Sequence, residues 1–202
     1  MTLWRGKYPL MLASQSRARQ MLLSNAGIDF EAVAAEIDER AVQQTSGLSA
    51  PGEIAGLLAR EKALSVSMRQ PAKFVIGADQ TLALGIRLFS KPAGRAQAAE
   101  QLRALAGRSH ELHSAVAVAR AGKISFETVT IARMTMRQLG DAEIDAYLDE
   151  ADEAVTSSVG AYQLEGLGVH LFDRIEGDHF TILGLPLLQL LAFLRSERLL
   201  AV

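Results

Sequence analysis

Phe74-Val75-Ile76-Gly77-Ala78-Asp79 restricts this chain more than any other stretch: an apolar run leads, through only Gly77 and Ala78, into a carboxylate. It reads as a buried strand that ends on an acid. An unpaired charge there costs several kcal/mol or shifts its pKa, so chains seldom leave one. Either a cation meets Asp79, or the N–H groups of an Asx-turn cap it. The carboxyl end of a buried strand is where α/β proteins gather ligands. Asp79 is therefore the first candidate for chemistry, with Ser90-Lys91-Pro92 following; Pro92 ends regular structure and holds Lys91 extended.

A second candidate lies at an earlier strand-to-helix turn. Tyr8 to Ala13 reads as a strand, then Ser14-Gln15-Ser16 leads into a helix from Arg17 to Ala26 closed by Gly27. Met21, Leu22 and Ala26 form its expected inner stripe, and Ser16 is the expected N-cap. Arg17 and Arg19 stand in the first turn, where the helix dipole disfavours cations. Both read either as solvent-facing or as ligands of an anion bound at the free N–H groups.

Further along, Ile28 to Val33 reads as a strand, and Glu36-Ile37-Asp38-Glu39-Arg40 as a solvated acidic turn. A loop from Ser46 to Gly52 precedes a helix from Pro51 or Gly52 to Met68, with Ile54, Leu57, Leu58 and Leu64 on its apolar face. Taken alone, Lys62 on that helix is a surface lysine. Leu82 to Leu88 has Gly85 as a hairpin or bulge residue, and an alanine-rich helix from Ala93 or Arg95 stops at Gly107. Two long strands, His110 to Arg120 and Lys123 to Arg137, meet at the hairpin signal Ala121-Gly122. His110 and His113 fall on opposite strand faces and make no metal pair. Asp141 to Glu150 is an amphipathic helix, and the glycines around Glu165 mark a close backbone approach. A last hairpin, Val169 to Ile175 and His179 to Leu183, precedes a helix from Pro186 to Leu199. That helix is apolar on most sides, so it lies deep in the core or in a subunit contact, as in a homodimer.

The 202 residues suffice for a substantial core in one domain, 1–202. A net charge of −2 gives no electrostatic case for nucleic acid or an acidic membrane. The absence of cysteine excludes disulfides, thiolate metal sites and a cysteine nucleophile. Ile182 to Leu194 is too short and too interrupted for a membrane span, and Pro9 breaks the only leader-like run, so the expected compartment is the cytoplasm. There is no P-loop, dinucleotide fingerprint or Gly-x-Ser-x-Gly elbow.

Taken in order, LASQSRARQMLL, Ile37-Asp38-Glu39, REKA, GADQ, SKP, GAYQLEGLG and ILGLP with its leucine helix resemble the Maf family of nucleoside triphosphate pyrophosphatases, from about Leu10 to Leu194. The resemblance implies an α/β fold related to the inosine triphosphate pyrophosphatases: a long bent mixed sheet flanked by helices, with a cleft between two lobes. It implies hydrolysis of a nucleoside triphosphate to the monophosphate and pyrophosphate with Mg2+ or Mn2+. It matches Ser14, Arg19, Lys62 and Lys91 to phosphate contacts, Asp79 to the proton acceptor, and Glu39 with Asp79 to metal contact. Such a tail brings roughly four negative charges, which gathered cations must offset. The attacking water needs a carboxylate to orient or deprotonate it, or to hold the metal that does.

Substrate choice departs from the family's branches. Ala18, Gln80 and Glu165 stand where the dTTP/UTP-like branch has an arginine, a threonine and a glutamine. Gln80 and Glu165 resemble the branch that prefers 7-methylguanosine triphosphate, and a carboxylate suits the N–H donors of guanine. Ala18 lacks that branch's aromatic ring, whose stacking is worth about 1–3 kcal/mol, which widens the expected substrate to other purine-like bases. Tyr162 is expected in the core. The other class of function is a nucleotide-binding regulator of septum formation with little hydrolysis.

Overall fold

A computed structural model describes residues 3–152 and 154–202. In chain order the elements are β1 (Leu10–Ala13), α1 (Arg17–Asn25), β2 (Phe30–Ala32), α2 (Glu39–Ser46), α3 (Pro51–Arg69), β3 (Val75–Leu84), β4 (Arg87–Phe89) and α4 (Arg95–Leu105). Then follow β5 (Ser109–Arg120), β6 (Lys123–Met136), α5 (Asp141–Ala151), α6 (Ala154–Ser157), β7 (Phe172–Glu176), α7 (His179–Ile182) and α8 (Leu187–Ser196). The strands form a seven-stranded mixed sheet in the order β2-β1-β3-β5-β6-β7, with β4 on β3. β1 pairs in parallel with β2 and β3, whereas β3–β4 and β6–β7 are antiparallel. Among the described residues no helix is long and apolar enough to cross a membrane.

The chain divides into two compact units, and β3, β5 and β6 each run from one into the other. The first unit comprises Met1–Gln80, Ser114–Thr130 and His179–Val202. Its core joins Leu10 and Leu12 of β1, Leu22 and Leu23 of α1, Ile76 of β3, Val116 and Val118 of β5, and Leu187, Leu190 and Leu194 of α8. β1 is buried at every residue, which is why it reads as a continuous apolar run. A second cluster is nearly all alanine: Ala55, Ala59 and Ala63 of α3 against Ala115, Ala117 and Ala119 of β5. Small residues on both sides let the helix backbone lie close to the sheet. Ala121 and Gly122 both take positive φ, 51° and 72°, the geometry of a tight hairpin of primed type.

The second unit comprises Thr81–His113 and Ile131–Asp178. Here β3 and β4 form a hairpin through Gly85, φ +59°, and α4 contributes buried Ala98, Leu102 and Leu105. His110 Nε2 lies 2.7 Å from the Tyr162 hydroxyl in a buried pair, with Phe172 against both rings, so Tyr162 is indeed a core residue.

Several expectations are corrected. In α1 Leu22 and Leu23 are buried while Met21 is 39% exposed, so the inner stripe is rotated by one residue. The acidic run is solvent-exposed, as expected, but it starts a helix rather than forming a turn. Asp38 caps α2, its Oδ1 accepting the Ala41 N–H at 3.0 Å, and Glu39 opens the helix, where carboxylates are favoured. On α3 the buried stripe is Ile54, Ala55, Leu58, Ala59, Lys62, Ala63, Val66 and Ser67 rather than the leucines at 57 and 64. The closing hairpin does not form: β7 pairs with β6, and residues 179–182 are helical. The helix brings the Thr181 and Ile182 carbonyls to one side-chain amide, whereas carbonyls of successive strand residues point opposite ways.

Candidate functional site

Asp79 is not at a strand end. β3 continues through it to Leu84, so the carboxylate projects from mid-strand, 7% exposed. The Asx-turn reading fails, and a cation meets the acid instead: Lys62 Nζ lies 2.6 Å from Asp79 Oδ1. The same ammonium lies 2.9 Å from Glu39 Oε1 at the start of α2. Lys62 is therefore a buried bridge between two carboxylates, not a surface lysine. Burial pushes the Asp79 carboxyl above the ordinary carboxylate range, and the charges of Lys62 and Arg19 pull it back without cancelling that rise.

Gly77 makes the bridge reachable. A Cβ on Gly77 would stand 2.1 Å from the Ala59 carbonyl oxygen and 2.6 Å from the Ala63 nitrogen. α3 thus lies backbone-to-backbone on β3 at Ala59 and Ala63, three residues before Lys62 and one after it, and the lysine stem spans the remaining gap to Asp79.

Arg19 turns inward from α1. Its Nε donates to the Gly184 carbonyl at 2.7 Å, and its Nη1 donates to the Ala78 carbonyl at 2.9 Å and to Ser14 Oγ at 3.2 Å. The acceptors are all neutral, so the guanidinium is fixed without a carboxylate in contact. Burial lowers its pKa, opposed by Asp79 and Glu39; an arginine stays charged regardless. Ser16 caps the helix as expected, accepting the Arg19 N–H. Arg17 is exposed, and Ala18 packs on the edge of the main core cluster.

Gln80 faces the same turn. Its Nε2 donates to Ser114 Oγ at 2.8 Å, the Ile182 carbonyl at 3.0 Å and the Thr181 carbonyl at 3.1 Å. Two N–H bonds are shared among three acceptors, and Oε1 has no hydrogen-bond partner among the described residues. Ser114, Thr181 and Gly184 were not singled out from sequence. Thr181 and Gly184 lie in a segment read as strand and linker, and a backbone carbonyl leaves no compositional trace.

Ser14, Arg19, Glu39, Lys62, Asp79, Gln80 and the half-buried Ala18 all belong to the first unit. Lys91 and Glu165 belong to the second, where both are exposed: Lys91 between β4 and α4, Glu165 in a turn before the short 3-10 segment Leu167–Leu171.

Among the described residues there is no group of three or more His, Cys, Asp or Glu that could hold a metal ion. Glu39 and Asp79, already gathered on one ammonium, form a two-carboxylate set. These two carboxylates are the ones that would hold a divalent cation, with water and substrate phosphate oxygens completing its shell and the Lys62 ammonium giving way.

Fold and site together define a mixed α/β protein whose buried acid, Asp79, is held by a buried lysine. The model of the family described as "Maf: Maf-like protein" matches residues 9–197, and the chain belongs to that family. It is 71% identical over 202 residues, the whole of both chains, to a protein of Bradyrhizobium diazoefficiens named nucleoside triphosphate pyrophosphatase. It is 50% identical over 192 residues to the 7-methyl-GTP pyrophosphatase of Brucella abortus biovar 1, covering 94% of this chain and 96% of that one. A HAM1 protein from Coxiella burnetii is 18% identical with a TM-score of 0.41, over 63% of this chain and 72% of that one, a likeness too slight to build on.

Proposed function

We propose that this Maf-family chain hydrolyses a nucleoside triphosphate between its α and β phosphates, releasing the monophosphate and pyrophosphate. The observation that carries the reading is the buried Asp79, in contact with Lys62 and within reach of the Arg19 charge. A mid-strand acid among fixed cations suits a polyanion with a water to be directed at it. Relatives 71% and 68% identical over their whole length carry the pyrophosphatase name.

In this reading Arg19 and Lys62, with Ser14 beside them, take phosphate oxygens and spread their charge. Lys91 is assigned a phosphate contact by the resemblance of its motif alone. Asp79 orients the attacking water and accepts its proton. Glu39 and Asp79 would hold a divalent cation, which would supply Lewis-acid neutralisation of the phosphates. The base proposed is a purine with N–H donors on its edge, such as 7-methylguanine. Gln80 Nε2 is committed to protein acceptors, which leaves the acceptor Oε1 for a ligand, and Glu165 adds a second acceptor by resemblance. The compartment proposed is the cytoplasm.

The test is pyrophosphate release from a panel of ordinary and modified triphosphates with Mg2+ or Mn2+, for wild type, Asp79→Ala and Glu165→Gln. Asp79→Ala should fold and lose turnover, and Glu165→Gln should weaken selection for guanine-type bases. Nucleotide binding without pyrophosphate release by the wild type would instead favour a regulator of cell division. Equal turnover in wild type and Asp79→Ala would remove the acid from its role.

A further inference from the structure

Gln101 on α4 is 5% exposed, and its single amide serves two distant stretches of chain. Nε2 donates to the Ser90 carbonyl at 2.9 Å, and Oε1 accepts the Gly160 N–H at 3.1 Å. Ser90 immediately precedes Lys91, and Gly160 opens the glycine-rich segment that carries Glu165. All of these residues lie within the second unit. We infer that Gln101 is a positioning residue that fixes the Lys91 and Glu165 segments to a common support on α4.

The surrounding geometry leaves both segments little freedom apart from this amide. One turn earlier on α4, Gln97 Oε1 accepts the Ala93 N–H at 2.7 Å. The Ser90–Ala93 stretch is thus tied to α4 at both ends, around a buried Pro92 whose ring fixes φ. At the other partner, Gly160 takes φ +80°, and a Cβ there would meet Leu82 Cδ1 at 2.6 Å and Tyr162 Cε1 at 2.8 Å. Its N–H is buried, and Gln101 provides its acceptor; an apolar side chain at 101 would leave both that N–H and the Ser90 carbonyl without it. One amide can satisfy a donor and an acceptor at once, which neither a hydroxyl of shorter reach nor a lysine does. The chain spends a buried polar side chain on backbone that flanks two exposed residues, and those residues gain a fixed spacing from it.

The inference rests on the reading of Lys91 and Glu165 as substrate contacts, and the experiment separates the two. Gln101→Met keeps the volume and removes both hydrogen bonds. With the preferred triphosphate it should raise KM about tenfold while leaving kcat nearly unchanged, the pattern of lost binding rather than lost chemistry. It should also blur base selection, which general destabilisation would not. Hydrogen exchange followed by mass spectrometry should show peptides spanning Ser90 and Gly160 losing protection together. Gln101→Glu adds a pH signature. Protonated, its carboxyl donates to Ser90 and accepts from Gly160 as the amide does; ionised, it cannot donate. Its KM should therefore return towards wild type as pH falls from about 8 to about 5.5, since burial raises a carboxyl pKa.

A folded Gln101→Met with wild-type KM, base selection and exchange overturns the inference, as does loss of protection in one segment only. Should Gln101→Met not fold, the pH dependence of Gln101→Glu decides: KM and exchange that do not change with pH overturn it. If the wild type releases no pyrophosphate from any nucleotide, the proposed function fails, while paired loss of protection still supports Gln101's positioning role and unpaired loss still overturns it.

Discussion

Lys62 Nζ and Asp79 Oδ1 meet at 2.6 Å between two side chains that are both buried, one on a helix and the other in the middle of a strand. Removing Lys62 takes away the only cation within bonding distance of Asp79 among the described residues and leaves the Arg19 charge acting from further off. Lys62→Met should therefore cost about 3–5 kcal/mol of unfolding free energy at neutral pH. The double variant with Asp79→Asn should recover most of that loss. Urea denaturation checks both, and a single variant as stable as wild type would show that the ammonium contributes nothing net.

The raised pKa of Asp79 fixes the direction of a pH effect. Burial is the main cause, and Lys62 and Arg19 oppose it. The folded carboxyl holds its proton at a pH where the unfolded one has lost it. Its contribution to stability is thus complete below the unfolded value and declines as pH rises through the folded value. Activity that needs the ionised acid runs the other way. The acid limb of kcat/KM should lie above the ordinary aspartate value of about 4. Lys62→Met should move any remaining limb higher still, because it removes the nearest opposing charge.

Gly77→Ala places a methyl against backbone atoms of Ala59 and Ala63 that cannot swing away. The expected cost is about 1–3 kcal/mol, with a fall in turnover as α3 lifts and Lys62 draws back from Asp79. Gly56→Ala on the same helix is the control. Its methyl meets Val129 Cγ2 at 3.6 Å, and helix propensity predicts a gain of about 0.5–1 kcal/mol. Thermal or urea midpoints of the two variants should move in opposite directions.

Burial lowers the His110 imidazole from 6.5 to about 4. The fold keeps it neutral where the unfolded chain takes up a proton. Its contribution is complete above pH 6.5 and falls as pH drops towards about 4, by about 3 kcal/mol in all. His110→Leu should flatten that part of the stability–pH curve. An unchanged slope would assign the acid lability to other groups.

The motifs were legible where local chemistry dictates local structure. Ser16 caps α1, Pro51 opens α3, Ala121-Gly122 turns the long hairpin, and Asp79 keeps company with a cation. What stayed hidden depends on contacts between elements distant in sequence. Lys62 looks like a surface residue because its helix has a face of alanines, and only Ala115, Ala117 and Ala119 on β5 make that face an interior one. Asp79 looks like a strand end because glycine precedes it, although Gly77 is there to admit α3. Residues 179–182 alternate too briefly to separate helix from strand, and their carbonyl acceptors on Gln80 settle the matter. Asp38 and Glu39 carry the composition of an exposed turn and of a helix N-terminus alike.

Of the two acids on Lys62, one belongs to a hydrogen-bonded ladder and the other to the solvent-exposed first residue of an eight-residue helix. Their compliance differs accordingly. Asp79 cannot follow a shifting charge without disturbing neighbouring strands, so it acts as the fixed reference against which an incoming group is measured. Glu39 can change rotamer at little cost. Any rearrangement of the trio on ligand arrival is therefore taken up on the α2 side, with Lys62 as the pivot.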